Sequence, residues 1–276
     1  MMKRALRDML ILTIAVLLAL FAASCAGSKA AGEQPQAEEE QEEEQLQEEE
    51  PGNEEEVPEV KAEDMLDRIT VNTQSSIRIE GQKTIYVDPY KRAEAPHDAD
   101  IVLITHAHYD HFDEPSLRNV ANGDTLIVCP DSMRGSVEAL GLGKDLLTME
   151  AGSWEETGDV TIKAVPAYNL NKSFHPKDNG WLGYIITMDG VRYYAAGDTD
   201  ALPELEDVSC DIAFVPVGGT YTMTAKEAAG LVNIIAPKIA VPIHYGTIVG
   251  RAADAETFRG ALDRGIETVI KVEDAK

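Results

Sequence analysis

The amino-acid sequence predicts an α+β fold in which two mixed β-sheets pack face to face and helices lie on the outer faces. Two patterns carry this prediction: apolar strand-like runs dominate the first half of the folded region, and strands alternate with helical patterns in the second half. A third observation is size. About 210 residues remain once the N-terminus and an acidic segment are set aside, which is enough for one buried core. We therefore predict a single domain over residues 65–276.

The first 24 residues have the pattern of an export signal. Three basic residues lie within the first seven positions, and an apolar run from 9 to 23 follows that is short for a membrane span. The sequence Ala22-Ala-Ser-Cys25 then resembles a bacterial lipobox. This resemblance implies acylation of Cys25 and a membrane-anchored lipoprotein outside the cytoplasm. A cleaved soluble export signal and an uncleaved anchor are the alternatives.

Residues 25–64 are predicted to form a disordered acidic tether. Sixteen acidic residues and one lysine lie between 33 and 64, without apolar periodicity, so the segment cannot bury enough surface to offset its ordering entropy. An acidic calcium-binding or partner-binding tail is the alternative. The domain that follows carries thirty-two acids and nineteen bases, and this net negative charge disfavours nucleic acid as a partner.

Elements of the folded domain are predicted in order from apolar runs and turn signals. Asp189-Gly190 is a favoured hairpin turn, Thr224-Ala-Lys-Glu227 is a capping box, and Asp131-Ser132 is expected to cap a helix. Strands are predicted at 75–79, 83–87, 101–105, 125–129, 146–149, 160–165, 181–188, 191–196, 211–215, 238–241 and 267–272. Helices are predicted at 115–121, 131–140, 224–235 and 254–264.

A cluster of four polar residues directly follows the strand at 101–105. His106 and His108, two positions apart, would lie ~6.6 Å apart on one side of an extended chain, where two imidazoles can converge on one ion. Asp110 and His111 cannot reach the same ion along a straight strand, so the chain must turn and offer them to a second position nearby. Imidazole and carboxylate are ordinary ligands of zinc and similar divalent ions. The alternative is a polar loop with surface histidines, but half of the six histidines fall here.

This cluster also carries a family resemblance. Thr105-His-Ala-His-Tyr-Asp-His111 resembles the HxHxDH signature of the metallo-β-lactamase superfamily, and Ala196-Gly-Asp-Thr-Asp200 resembles its glycine-aspartate loop. The stretch from Pro166 to Pro176, with Trp181-Leu-Gly-Tyr184, is similar to the branch of ascorbate-phosphate-lactonase-like and phospholipase-D-like hydrolases. The resemblance covers about residues 70–272 and implies an αββα sandwich.

The resemblance further implies a site with two divalent metal ions, zinc being expected and manganese or iron the alternatives. The ligands it implies are His106 and His108 for the first ion, Asp110, His111 and His244 for the second, and Asp198 between them. Asp198 and His244 each follow a predicted strand, so a turn residue and a buried polar group are the alternative readings. Asp88 and Asp200 are candidates for orienting the imidazoles.

The third ligand of the first ion is where the chain departs from its wider family. Relatives of the phospholipase-D-like branch have a histidine near the place of Asn169, whereas this chain supplies His175 six residues later. We predict that His175 is the ligand, with a substrate contact or proton donor as the alternative. Asn169 and Lys172 on the same loop are predicted to bind substrate. His97 is predicted to be a loop histidine outside the site.

The predicted function is hydrolysis of a small ester, lactone or phosphodiester, with lipid-derived substrates possible because of the anchor. A hydroxide shared by the two ions would attack, Asp110 would accept a proton and Asp198 would fix the separation of the ions. A metal-bearing envelope binding protein without turnover is the alternative from another class, and a β-lactamase is a narrower one that the departure at Asn169 disfavours. Cys129 and Cys210 are predicted to be buried free thiols rather than a disulfide.

Overall fold

The computed structural model describes residues 61–272. The predicted signal segment, the lipidation residue Cys25 and most of the acidic tether lie outside these residues. Ordered structure begins earlier than residue 65, because a 3-10 helix spans Ala62–Arg68 and packs Ala62 and Met65 into the core. Among the residues described, no helix is long and apolar enough to cross a bilayer.

Two mixed sheets form the domain, as predicted. The first has six strands in the order β1-β2-β3-β4-β5-β6, and the second has seven in the order β13-β12-β11-β10-β9-β8-β7. The strands of the first sheet are β1 Ile69–Val71, β2 Ile77–Glu80, β3 Thr84–Val87, β4 Ile101–Leu103, β5 Leu126–Pro130 and β6 Asp145–Met149. Those of the second are β7 Trp154–Thr157, β8 Val160–Pro166, β9 Leu182–Met188, β10 Val191–Ala195, β11 Ile212–Pro216, β12 Ile239–Ile243 and β13 Glu267–Thr268.

Four α-helices accompany the sheets within residues 61–272. They are α1 Glu114–Val120, α2 Arg134–Glu138, α3 Ala225–Ile235 and α4 Ala252–Ala261. The capping box at Thr224 is confirmed, since its side chain accepts from Glu227 N and its own N–H donates to the Glu227 carboxylate. The predicted helix at 131–140 is shorter than expected. Asp131–Met133 is a 3-10 turn without a side-chain cap, and only α2 follows it.

The main core joins buried side chains of both sheets. Because strand side chains alternate between faces, Ile85 and Val87 of β3 belong to this core while Tyr86 points into a smaller cluster. That smaller cluster lies with α1 and α2 against the outer face of the first sheet. Cys129 and Cys210 are free and buried, and they belong to different clusters, so the prediction of unpaired thiols is confirmed.

The strands that precede the predicted metal ligands share one edge of the sandwich. β3 pairs in parallel with β4, and β10, β11 and β12 are parallel to one another. Parallel strands bring their carboxyl ends to the same edge, where α/β proteins commonly bind ligands. The two sheets are tied together there, since Leu182 N donates to Thr105 O over 3.1 Å. Gly197, with φ of +65°, allows this approach, because a Cβ would lie 2.8 Å from Leu182 O.

Candidate metal centre

Seven predicted ligand residues converge at this edge. Six of them are buried and His108 is half-buried. Their ligand atoms form two groups, each with all atoms within 4.8 Å of one another: His106, His108 and His175, and Asp110, His111 and His244. The structure therefore brings His175 to the group that lacked a third histidine. The predicted turn after Thr105 is present, since His111 N and Phe112 N both donate to His108 O.

Asp198 lies between the two groups. Its Oδ2 is 3.2 Å from His175 Nε2 of the first group and 3.1 Å from His244 Nε2 of the second. Its Oδ1 is 3.4 Å from His111 Nε2. The carboxylate therefore has an oxygen close to each group. This position would let Asp198 bind an ion in each group at the same time.

Asp88 fixes the orientation of His111 from behind. The Asp88 carboxylate accepts hydrogen bonds from Thr105 N at 2.8 Å, from Thr105 Oγ1 at 2.6 Å and from His111 Nδ1 at 2.7 Å. Since the Thr105 hydroxyl gives its proton to Asp88, it accepts from His106 Nδ1 at 2.9 Å. Both imidazoles thus use Nδ1 as a hydrogen-bond donor away from the centre and turn Nε2 towards it. Such partners hold metal-ligating histidines in the correct tautomer.

Asn169 orients the imidazole of His175, as Asp88 orients that of His111. Its Oδ1 accepts from His175 N at 3.1 Å and from His175 Nδ1 at 3.0 Å. The Asn169 amide is itself held, because its Nδ2 donates to Asp200 Oδ1 at 3.2 Å and to Tyr221 O at 2.9 Å. Of the two carboxylates predicted to orient imidazoles, Asp88 contacts a histidine directly, whereas Asp200 acts through Asn169.

Unpartnered buried atoms show that these residues fit a metal. His111 Nε2, His175 Nε2, His244 Nε2 and Asp198 Oδ1 are buried and have no hydrogen-bond partner in the described part of the chain. Buried polar atoms in proteins rarely lack partners, so four together at the point of convergence indicate a missing ligand. Asp88, His106 and His111 also lie within ligand range of one another. Their facing atoms are used in the hydrogen bond between His111 and Asp88 and in those that Thr105 makes with Asp88 and His106, so this third group holds the imidazoles in place.

The protonation of the cluster is governed by burial and mutual charge. Burial favours neutral Asp198, but the neighbouring His244 and His111 outweigh it and hold the pKa of that carboxyl well below its usual range. Burial opposes charge on His244 as well, yet Asp198 and Asp110 raise its pKa to about 9. Burial and the neighbouring His111 instead lower the pKa of His106 well below its usual value. A metal ion must displace the proton of His244, so it binds more tightly as the pH rises.

A cavity of about 180 Å³ opens onto the centre. Its lining residues are His108, Tyr109, Asp110, Phe174, His175, Asp198, Tyr221, His244 and Ile248. Trp181 packs beside it, with its ring 4.9 to 5.6 Å from the rings of His106, His108 and His175. Sequence reasoning gave no role to Trp181 or Thr105. The position of Thr105 directly before His106 was the available signal.

The structure does not place the two predicted substrate-binding residues on the cavity. Asn169 is buried behind His175, and the Lys172 ammonium pairs with the Asp200 carboxylate. In this structure the first residue orients His175 and the second pairs with Asp200, and substrate binding by either of them stays a prediction. His97 is exposed and bonds the Ala121 carbonyl through Nδ1, so it is a loop histidine outside the centre, as predicted.

Known proteins are similar to this chain over most of its described residues. The model of the beta-lactamase superfamily domain matches residues 68–244. A UPF0173 metal-dependent hydrolase of Thermococcus onnurineus (strain NA1) is 33% identical over 208 residues, which is 71% of this chain and 92% of the relative. A UPF0173 protein of Pyrococcus abyssi (strain GE5 / Orsay) is 36% identical over 185 residues, or 66% of this chain and 83% of the relative.

Solved structures give the same result. The crystal structure of a candidate metal-dependent hydrolase from Parabacteroides distasonis ATCC 8503 has a TM-score of 0.62 and 33% identity, and it covers 75% of this chain and 93% of that one. The metallo hydrolase Igni18 from Ignicoccus hospitalis KIN4/I shares the fold at 22% identity and a TM-score of 0.59, over 74% of this chain and 95% of that one. The chain therefore belongs to the beta-lactamase superfamily, and its relatives there are metal-dependent hydrolases.

Proposed function

We propose that this metal-dependent hydrolase uses two divalent metal ions, zinc by preference, to hydrolyse a small ester, lactone or phosphodiester. One observation carries the proposal: two groups of three ligand atoms lie side by side, and Asp198 reaches both. Imidazole nitrogens with carboxylate oxygens suit zinc, manganese and iron. Two such ions held close together lower the pKa of a shared water and polarise the substrate oxygen.

The residues of the chain supply the remaining chemistry. Among the described residues that line the cavity there is no serine, threonine, cysteine or lysine, and we assign the role of nucleophile to water. Asp110 lines the cavity, and its neighbours His244 and His111 outweigh burial and keep the pKa of the carboxyl low. The carboxylate is therefore ionised and can accept a hydrogen bond and a proton from the attacking water. Trp181 covers one side of the histidines and limits access of bulk water there.

Turnover that depends on metal tests this proposal. Full-length protein should contain about two divalent ions per chain by elemental analysis, and it should hydrolyse members of a panel of generic esters, lactones and phosphodiesters. EDTA should abolish the activity, and adding back zinc, manganese and iron singly should identify the metal. Protein with both positions filled that turned over no member of the panel would instead support a binding protein.

We also propose that the enzyme is a lipoprotein anchored outside the cytoplasmic membrane through acylated Cys25. The support comes from the basic, apolar and small-residue pattern of residues 1–25 and the acidic spacer that follows it. Attachment through more than one acyl chain makes such an anchor stable. Cells grown with labelled palmitate should label the wild type and not Cys25→Ser. Equal labelling of the two, or recovery of wild type in the cytoplasmic fraction, would exclude the anchor.

A further inference from the structure

The walls of the cavity differ in chemistry from its floor. The floor is made of the ligand residues, whereas Tyr109, Phe174, Tyr221 and Ile248 form the rest of the lining. We call these four residues the apolar rim. Neither lysine nor arginine is among the described residues that line the cavity. Apart from the metal ions and the histidines that would bind them, no cationic side chain of this lining would compensate a negative charge on the substrate.

One lysine that is close in sequence to the cavity lining has its charge neutralised by an ion pair. Lys172 lies on the segment that carries Phe174 and His175, but its ammonium pairs with Asp200. The same Asp200 carboxylate accepts from Leu170 N at 2.9 Å, so the pair is part of the structure that holds this segment. The net negative charge of the domain adds a repulsive field for anions that approach from solution.

Two side chains of the apolar rim are exposed to solvent although their rings are large and mainly apolar. Tyr109 is 64% and Phe174 is 44% exposed, and both line the cavity. The Phe174 ring packs edge-on against Tyr221, with centroids 4.7 Å apart. Tyr109 is supported in the same way by Tyr90, at 6.2 Å. The free energy falls when an apolar group covers large, mainly apolar side chains at the mouth of a cavity, because their surface is removed from water.

The size of the cavity limits that group. Its volume of about 180 Å³ is below the roughly 300–1,000 Å³ of sites for drug-sized ligands. A cavity of this size suits a short alkyl chain or a single ring.

We propose that the substrate is an uncharged carboxylic ester or lactone whose short alkyl or single-ring group packs against Phe174 and Tyr221. This proposal rests on the hydrolase function and narrows its substrate class: phosphodiesters and acyl groups with a terminal carboxylate are excluded. Water adds to the carbonyl carbon and gives a proton to Asp110, the bond to the alkoxide oxygen breaks, and that oxygen takes up the proton, so that a carboxylic acid and an alcohol are released. The ions held by the ligand residues would polarise the carbonyl oxygen. The apolar rim favours substrates in which the group attached to the carbonyl carbon is apolar and uncharged.

Matched esters test the selection. p-Nitrophenyl butyrate and p-nitrophenyl hemisuccinate have the same leaving group, and their acyl groups differ mainly in a terminal carboxylate. For metal-loaded full-length protein we expect kcat/KM to be at least about tenfold higher for the butyrate, and higher than for bis-p-nitrophenyl phosphate. Phe174→Ser should lower kcat/KM for the butyrate about tenfold, Phe174→Leu should retain most of it, and Phe174→Lys should reverse the preference between the two esters.

A control variant separates rim contact from general loss of apolar surface. Trp154 is 58% exposed on β7 and does not line the cavity, so Trp154→Ser should change neither rate. Equal or faster turnover of the hemisuccinate or the phosphodiester, or a Phe174→Ser variant with unchanged rates and metal content, would overturn the substrate class and leave the hydrolase intact. Absence of turnover for every ester, lactone and phosphodiester would overturn both proposals.

Discussion

Asp198→Asn is expected to lower kcat/KM by about 10³-fold or more, equivalent to ~4 kcal/mol of transition-state stabilisation. The reason is its position, since the carboxylate lies within 3.1 to 3.4 Å of Nε2 atoms in both ligand groups. The neutral amide would have nearly the same shape but no charge to hold two cations at a fixed separation. Steady-state kinetics with elemental analysis should show lower activity together with fewer than two metal ions per chain.

Two further variants serve as controls for Asp198→Asn. Asp88→Asn alters a group that orients His111 directly and His106 through Thr105, so it should weaken metal binding by about 10- to 100-fold in competition with a chelator and should spare more activity. Asp211→Asn changes a buried carboxylate before β11 that pairs with Arg192 and Lys238, away from the centre. It should leave kcat/KM near the wild-type value. Wild-type activity in Asp198→Asn would show that Asp198 does not bridge.

His175→Ala is expected to reduce the bound metal from about two ions per chain to about one. His175 supplies the third nitrogen of the first group, and its Nε2 is buried without a hydrogen-bond partner among the described residues. Because Asn169 holds its Nδ1, the ring cannot turn to offer the other nitrogen. Activity should fall with the metal. Elemental analysis after dialysis against the free metal gives the count directly.

The matched control is His97→Ala, because His97 is an exposed loop histidine whose ring bonds the Ala121 backbone carbonyl, outside the centre. It should keep both ions. Asn169→Ala should lie between the two, with two ions bound but one of them removed more easily by a chelator. Retention of both ions with unchanged affinity in His175→Ala would place this histidine on the substrate side of the cavity.

The first half of the centre could be predicted from sequence because its ligands are close together in the chain. The spacing of His106, His108, Asp110 and His111 is itself the signal, and only a local turn is needed to aim the side chains. The contribution of Asn169 could not be predicted in this way. Its role depends on the Tyr221 carbonyl, 52 residues away, and on Asp200, 31 residues away. Such pairings are set by the packing of loops from different strands.

The same distinction holds for the fold. Strands with buried apolar runs, such as β11 and β12, were found where the sequence predicts them. The edge strand β7 was missed because Trp154–Thr157 is mostly exposed and lacks an alternating pattern. β1 was also missed, because it has only three residues. The capping signal at Asp131-Ser132 was misleading, since a tight 3-10 turn begins there without using either side chain as a cap.

The segment between β8 and β9 has its two ends joined, since Ala167 N donates to Trp181 O over 3.0 Å. Everything that shapes the approach to the metals from this side, including His175 and Phe174, lies between those two anchor points. Lengthening a loop whose ends are already held together costs little extra entropy, and surface loops tolerate such changes well. The segment from residue 168 to residue 180 can therefore vary in length, provided that it keeps a histidine at the His175 position and a group that orients this histidine as Asn169 does. The residues of this segment that face the substrate can then change while the other six ligand residues stay outside it.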